Sequence, residues 1–389
     1  MRQASWRVAV RWRALSAVSL AAATSIGCGS VAGTGTGTTG DAGGTTADAS
    51  TTADAGGATG TGGPDGGCSQ LRGVTPLLSS PLPTSDVYGG ATSDGQYVYF
   101  EGQAAIYRVA VSGGTLETVY SGALPSGSPG YSLAAKGGTI AWMFAAPGSQ
   151  EPAGITVQNA GGRHDVALTS GAVPENVDPI LVDADGDVFF EVSLPSDAGG
   201  ARTFQTWRWN PATGSAAQMP GVATRPDGGS VNLYWADRGQ LLWAWDGVYA
   251  TDIATGTAHP LDTTNAGFGS LVGVDATNVY GAGSICPDSA CPFTIWGTPR
   301  GGGPPFVACR SPGAYWTNGL QADDSGLYWV DWSTDGIYRA ALTNGAPAQL
   351  VAHLGPGVIP SQFAMDACNV YWIDANGTGA TQQVMAAPK

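Results

Sequence analysis

Lysine is almost missing from this chain. Of 389 residues only Lys136 and Lys389 are lysines, and all charged residues together make up 12%. Water-facing helices draw on Lys, Glu and Arg for their outer surfaces, so this composition leaves little material for a helical fold. Histidine is scarce too: His164, His259 and His353 are far apart and form no local zinc-ligand spacing. No Gly-x-Ser-x-Gly occurs, so the nucleophile elbow of the serine hydrolases is absent. Basic residues number 16 against 30 acidic, a formal charge of −14. A surface of that sign repels phosphate backbones, which argues against nucleic acid as a partner. What the chain does have is 60 glycines, 25 prolines and 9% aromatics. Gly-rich turns between Val, Thr, Tyr and Trp runs suit short strands, and the expected class is all-β.

Residues 1–13 hold four arginines (Arg2, Arg7, Arg11, Arg13) and no acid, and Ala14 to Ile26 is small-to-apolar throughout. A basic stretch before a short apolar run reads as a secretory signal, and about 13 residues are too few to cross a bilayer as a helix. The run ends Ser25-Ile26-Gly27-Cys28, which resembles the bacterial lipobox, with Ser25 where leucine is usual. That resemblance implies a signal peptide over 1–27 and a lipidated Cys28, placing the chain in the cell envelope, at the outer membrane or cell surface. Without the four arginines the balance is 12 basic against 30 acidic residues, a net of −18. Residues 28–67 are nearly all Gly, Thr, Ala, Ser and Asp, which cannot bury enough apolar surface to offset the entropy of ordering. They read as a flexible tether. The formal GxGxxG at Gly35–Gly40 lies inside it, with no strand before or helix after, and carries no nucleotide signal.

From residue 68 onward an internal repeat decides the architecture. An Asp, a few turn residues and an apolar–aromatic pair recur at Asp94–Tyr99, Asp183–Phe189, Asp237–Trp243, Asp275–Tyr280, Asp323–Tyr328 and Asp366–Tyr371, with a degenerate copy at Lys136–Trp142. The spacing averages about 45 residues, which suits four strands per propeller blade. Ile106-Tyr107-Arg108 and Ile337-Tyr338-Arg339 fall at equivalent offsets, each followed by a Gly-Gly or Asn-Gly hairpin signal. Each unit therefore has strand A before the Asp, B at the aromatic pair, C at the Tyr-Arg run and D after the hairpin. The last unit lacks a D strand, whereas Val74–Leu78 looks like an orphan D; pairing the two closes the ring. The expectation is one seven-bladed β-propeller over residues 68–389, with six blades as the alternative count.

The run Leu327-Tyr328-Trp329-Val330-Asp331-Trp332, followed by Ile337-Tyr338-Arg339, is similar to a blade of the YWTD propellers of low-density-lipoprotein-receptor type, and Tyr371-Trp372-Ile373-Asp374 fits the same pattern. Those propellers have six blades. The chain also resembles lipid-anchored "DATNVYW" repeat proteins common in myxobacteria. Both likenesses imply a fold and no activity.

Several side chains invite a chemical reading. The repeated aspartates sit in one kind of turn, where a carboxylate can accept backbone N–H groups two residues on, so they read as structural. Asp183, Asp185 and Asp187 alternate like the start of a calcium loop, a weak metal candidate without the later glutamate of an EF-hand. Trp207, Trp209, Trp243 and Trp245 alternate along strands and read as core. Tyr315 and Trp316 in a D-to-A connection, with Asp331, Trp332, Asp374 and Asn376 at B-to-C connections, form the candidate ligand-binding group: flat aromatics beside carboxylates and amides suit carbohydrate or peptide. Cys286 and Cys291 read as a hairpin-tip disulfide, and Cys68 with Cys368 as a clamp across the ring closure, leaving Cys309 over. The strands expected to line the channel contain no His and no Glu. The functional expectation is a monomeric, non-enzymatic binding or scaffolding module for a protein, peptide or carbohydrate, with no cofactor. The alternatives are a metal-dependent propeller hydrolase, lactonase or lyase, and a purely structural envelope protein.

Overall fold

The computed structural model describes residues 73–389, apart from 83–88, 103, 123, 125–132, 147–151, 169–171, 175–179, 195–202, 223–230, 245–247, 263–271, 284–293, 313–316, 332, 355–362 and 376–381. The chain divides into two units, Met1–Gly62 and Gly63–Lys389, and every described residue belongs to the second. The signal, Cys28 and the tether lie outside the described residues.

The second unit is a propeller of seven antiparallel sheets. Strands A to D of blade 1 are Gly89–Ser93, Tyr97–Glu101, Ala105–Ala110 and Glu117–Ser121; those of blade 2 are Leu133–Lys136, Thr139–Ala145, Pro152–Asn159 and Gly162–Asp165. Blade 3 has B, C and D strands at Val188–Leu194, Thr203–Asn210 and Ser215–Gln218, and an inner strand split into Val173–Pro174 and Leu181–Val182, both paired with Val188–Leu194. Blade 4 runs Asn232–Asp237, Gln240–Ala244, Val248–Asp252, Ala258–Asp262, and blade 5 runs Val272–Val274, Asn278–Gly283, Thr294–Pro299, Phe306–Arg310. Blade 6 comprises Thr317–Asp323, Gly326–Asp331, Gly336–Ala340 and Gln349–His353, and blade 7 Ala364–Met365, Asn369–Ala375 and Gln382–Pro388. The missing fourth strand of blade 7 comes from the other end of the domain. Thr75–Pro76 pairs antiparallel with Gln382–Pro388, Thr75 opposite Ala386 and Pro76 opposite Met385. The seven sequence landmarks all fall in the A-to-B turns or at the end of strand A beside them, and the count is seven, where the YWTD likeness implied six.

Seven separate hydrophobic clusters hold the domain together, one at each junction between neighbouring blades. Strand B supplies both sides of this arrangement because successive side chains point to opposite faces. In blade 6, Leu327 and Trp329 pack against blade 5 while Tyr328 and Val330 pack against blade 7. Blade 7 repeats this, Val370 and Trp372 facing back and Tyr371 and Ile373 facing on to blade 1. Both faces of the strand are buried, so its centre reads as a near-continuous apolar run instead of alternating with polar residues.

The C-to-D turns also dock on the preceding blade. The Gly114 N–H donates to Leu77 O at 2.9 Å, and Gly345 N–H to Ala308 O at 3.0 Å, in each case joining a turn to the outer strand region of the blade before it. At the blade 3–blade 4 junction the approach is closer still. Gly221 has φ +77° and its hypothetical Cβ would stand 1.8 Å from the carbonyl oxygen of Gly256. Gly95, by contrast, has φ +87° with nothing within 4 Å of such a Cβ. Gly221→Ala is therefore expected to cost about 3 kcal/mol or more, from backbone overlap added to the unfavourable φ, and Gly95→Ala only about 1 kcal/mol. Chemical denaturation of the two variants side by side measures the difference, and equal losses would contradict the docked-turn geometry.

Candidate functional site

One end of the propeller is ringed by the A-to-B turns, and here the repeated aspartates do one job. Asp94 Oδ1 accepts the N–H groups of Gln96 and Tyr97, both at 2.8 Å, while Oδ2 accepts the Tyr99 hydroxyl at 2.9 Å. Asp275 Oδ1 accepts Thr277 N–H and Asn278 N–H at 2.6 Å each, and its Oδ2 takes the Tyr280 hydroxyl. Asp366 does the same with Cys368 N–H, Asn369 N–H and the Tyr371 hydroxyl. Asn278 and Asn369 add their amides to the same tyrosine hydroxyls at 3.2 Å. The carboxylate thus closes the turn with one oxygen and tethers a buried tyrosine with the other. Burial opposes ionisation of Asp275, but the bonds from Tyr280, Thr277 and Asn278 outweigh it and hold the carboxyl below its usual range. Burial, then the bond to Asp275 and its charge, push Tyr280 well above the ordinary phenol range. The turn role follows from the sequence; the second oxygen's partner, a tyrosine five residues on, was legible there as a spacing and was not read.

The turn of blade 3 departs from this pattern. Asp183 Oδ1 accepts Asp185 N–H at 3.0 Å and Asp187 N–H at 2.9 Å, but Phe189 takes the place of the tyrosine and offers no hydroxyl. Asp187 turns to Arg208, whose Nη2 lies 2.5 Å from its Oδ2. Asp185 is exposed. The three carboxylates are thereby sent in separate directions, one to the turn backbone, one to a guanidinium and one to solvent. Among the described residues no group of three metal-binding side chains converges anywhere, so the calcium-loop reading of Asp183, Asp185 and Asp187 finds no built site. Burial, with the charges of Asp187 and Asp185 adding to it against two backbone N–H bonds, pushes Asp183 up to about 6.

Blade 6 has its own variant. Asp323 Oδ1 accepts the N–H of Ser325 at 2.8 Å, and Oδ2 is ion-paired with Lys389, whose side chain is only 7% exposed. The Lys389 ammonium also lies 5.2 Å from the centre of the Tyr328 ring, and its backbone N–H bonds Cys368 O at 2.9 Å. Burial works against Asp323 ionising, but the Lys389 partner and Ser325 prevail and lower its pKa.

At the opposite end, where B-to-C and D-to-A connections meet, the sequence candidates fare unevenly. Asp331 is fully buried: Oδ1 accepts Ser333 N–H at 2.9 Å and the Ser333 hydroxyl at 2.7 Å, and Oδ2 accepts the hydroxyl of Ser311. Ser311 in turn accepts the Trp329 indole N–H at 3.1 Å. With these bonds and no exposed surface, Asp331 anchors its loop. Asp374, its counterpart in blade 7, is half-buried, its Oδ1 has no hydrogen-bond partner, and burial raises its pKa. Glu191, in the middle of strand B of blade 3 and 1% exposed, accepts the N–H of Val231 at 2.8 Å and so ties strand B to the start of blade 4; it was missed in the sequence. Tyr315, Trp316, Trp332 and Asn376 lie outside the described residues, as do Cys68, Cys286 and Cys291.

Cys368 is disulfide-bonded. Cys309 is a free, buried thiol that burial pushes up to about 11. Trp207, Trp209 and Trp243 are buried in inter-blade clusters; Trp245 lies outside the described residues. His164, His259 and His353 lie on the D strands of blades 2, 4 and 6, the outermost strand of each blade. The inner strands read GGATS, LAAK, LV, NLYWAD, VGV, TNGLQAD and AM in blades 1 to 7.

No family model matches the chain, and no curated protein matches its sequence. Solved structures do share its fold. An oligogalacturonate lyase from Vibrio parahaemolyticus superposes with a TM-score of 0.55 at 9% identity, covering 81% of this chain and 93% of that one. A catalytically inactive histidine-to-alanine variant of virginiamycin B lyase from Staphylococcus aureus, solved with quinupristin, gives 0.52 at 13% identity, covering 81% and 99%. A streptogramin B lyase gives 0.50 at 14%, covering 81% and 97%. At these identities the likeness establishes the propeller and nothing about its chemistry.

The blade 3 turn yields a pH prediction. The folded pKa of Asp183, about 6, lies above its ordinary value of 3.8. The charge penalty is thus absent below the ordinary value, grows as pH rises from there to about 6, and is complete above it. Asp183→Asn keeps the acceptor oxygen and removes the charge. It is expected to stabilise the protein by on the order of 2 kcal/mol at pH 7.5 and by little at pH 3.5. Denaturation midpoints for both forms across that range check it; a pH-independent difference would contradict it.

Proposed function

We propose that this chain is an exported, lipid-anchored β-propeller that binds a protein, peptide or carbohydrate without transforming it. The observation that carries the proposal is where the acid–base side chains stand. The described inner strands carry no histidine, glutamate or cysteine, and all three histidines lie on outer strands. Virginiamycin B lyase, which shares the fold, is catalytically inactive when a histidine becomes alanine, whereas here each histidine is as far from the axis as a blade allows. Aspartates Asp94, Asp275, Asp331 and Asp366 are committed to turns and loops.

In this reading Trp316, Trp332 and Tyr315 supply the flat contact surface, with Asp374 and Asn376 as polar partners at the same end, and no cofactor takes part. Asp374 is only half-buried, which supports that assignment. Cys68 is the proposed disulfide partner of Cys368, clamping the ring closure, and Cys286 pairs with Cys291 at a hairpin tip. The chain acts as a monomer held by its lipid at the outer membrane or cell surface.

Glycan and peptide arrays probed with the full chain are expected to give a defined set of ligands. Trp316→Ala and Trp332→Ala should each weaken binding about tenfold or more while leaving the denaturation midpoint unchanged. Turnover of oligogalacturonate or of a streptogramin B by the purified protein would sink the non-enzymatic reading. The anchor is tested separately: Cys28→Ala is expected to move the protein from the membrane pellet to the soluble extracytoplasmic fraction. Retention in the pellet after high-salt washing would refute lipidation at Cys28.

A further inference from the structure

Three cationic side chains on the A-to-B-turn end reach past a neighbouring blade or in from an outer turn, and all three belong to one network around Trp235. Lys136 ends strand A of blade 2, yet its ammonium lies 6.0 Å from the centre of the Trp235 ring on strand A of blade 4. Blade 3 stands between them, and at this end its inner strand is only Leu181–Val182, followed by the Asp183–Asp187 turn. A side chain can pass blade 3 only on its axial side, since the body of the blade fills the space outward. Gly137 makes the passage close, its hypothetical Cβ standing 3.2 Å from Ala184 O.

Arg300 comes from the opposite direction. It sits in the C-to-D turn of blade 5, its N–H bonded to Thr277 O at 2.8 Å, and its guanidinium carbon lies 5.1 Å from the same Trp235 ring centre. Its Nε donates to Gln240 Oε1 at 3.2 Å and its Nη1 to Asp275 O at 3.5 Å, which hold the guanidinium in place. Beside it, Arg238 of blade 4 pairs at 3.3 Å with Asp324 of blade 6, and Asp324 also accepts the Ala276 N–H of blade 5 at 3.2 Å. Contacts that skip a blade occur here twice, from 2 to 4 and from 4 to 6. A ring face is attractive to both cations, and Trp is the best of the aromatic residues in this role.

We infer that Trp235, held by Lys136 and Arg300 and flanked by the Arg238–Asp324 crossing, plugs the A-to-B end of the central channel. A ligand then has access to the channel only from the B-to-C and D-to-A end. This locates the entrance of the site proposed above and rests on that proposal for the existence of a ligand, but the plug itself does not.

The chain's two lysines make the plug measurable by itself. Acetylation of the full folded chain with an N-hydroxysuccinimide ester at mildly alkaline pH, followed by peptide mapping, reports Lys136 and Lys389 separately. In wild type Lys136 is expected to react at least about tenfold more slowly than in the urea-unfolded chain. Trp235→Ala should restore fast acetylation of Lys136 and leave Lys389 slow, the second lysine reporting that blades 6 and 7 are still docked. Trp235→Phe, which keeps a ring, should leave Lys136 protected and serves if the alanine variant does not fold. Equal rates for Lys136 in folded and unfolded wild type, or protection that survives Trp235→Ala with Lys389 still slow, would overturn the plug. Neither result depends on array binding, so loss of the plug and loss of the binding proposal are distinguishable.

Discussion

A ring of blades has no free face only if its last blade is completed by its first strand, and the pairing of Thr75–Pro76 with Gln382–Pro388 does this. Without it, blade 7 would present the edge of Gln382–Pro388 to solvent, and the cluster that joins Leu77 and Leu78 to Val98, Phe100 and Tyr371 would lose one of its walls. Every other inter-blade cluster relies on the same closure, because each blade is held laterally by two neighbours and the described residues form no separate central core. Cys368, in the A-to-B turn of the closing blade, is disulfide-bonded.

Burying both faces of strand B has an electrostatic consequence. Tyrosines at this position take their hydroxyls into an apolar junction, where an unpaired O–H is costly. The turn aspartate five residues earlier answers that cost with its second oxygen at Tyr99, Tyr280 and Tyr371. Two blades depart from this. In blade 6 the tyrosine is kept as Tyr328, but its hydroxyl bonds that of Ser325 at 3.1 Å and Lys389 takes the second oxygen of Asp323; in blade 3, where Phe189 replaces the tyrosine, the Asp187–Arg208 pair adds a second local bond to the turn. The aspartate repeat is therefore architectural, and its variants show how one packing rule is met with different side chains.

The two ends of the propeller are used differently. The A-to-B end is tightly bonded, with short turns, tethered tyrosines and cations drawn over Trp235. The B-to-C and D-to-A end carries longer connections, and the aromatics with no assigned packing role are found there in the sequence. A carboxylate at the end of strand B is consumed by its own loop in blade 6, at Asp331, and keeps an oxygen without an internal partner in blade 7, at Asp374. Equivalent positions of one backbone plan thus differ in what the adjoining loop donates to them.

What could be read from the residues was what repeats along the chain: the period, the four-strand unit, the turn aspartates and the orphan strand near Val74. These follow from side-chain alternation and turn chemistry, which act over a few residues and leave a mark wherever they recur. The burial of Asp331 was not legible, because a carboxylate after a Trp-rich strand looks the same whether its loop turns inward or outward; only the positions of Ser311 and Ser333 show it. The pairings of Glu191, Lys136 and Trp235 left no sequence signal, since their partners lie on other blades and lateral contacts between blades have no fixed spacing. Local sequence alone determined the blade and pointed to seven repeats, and the closed ring fixed the count. The tertiary ring decided which charges are buried, which face one another across a blade, and which end of the channel is closed, because those depend on how blades are set around an axis and not on neighbours along the chain.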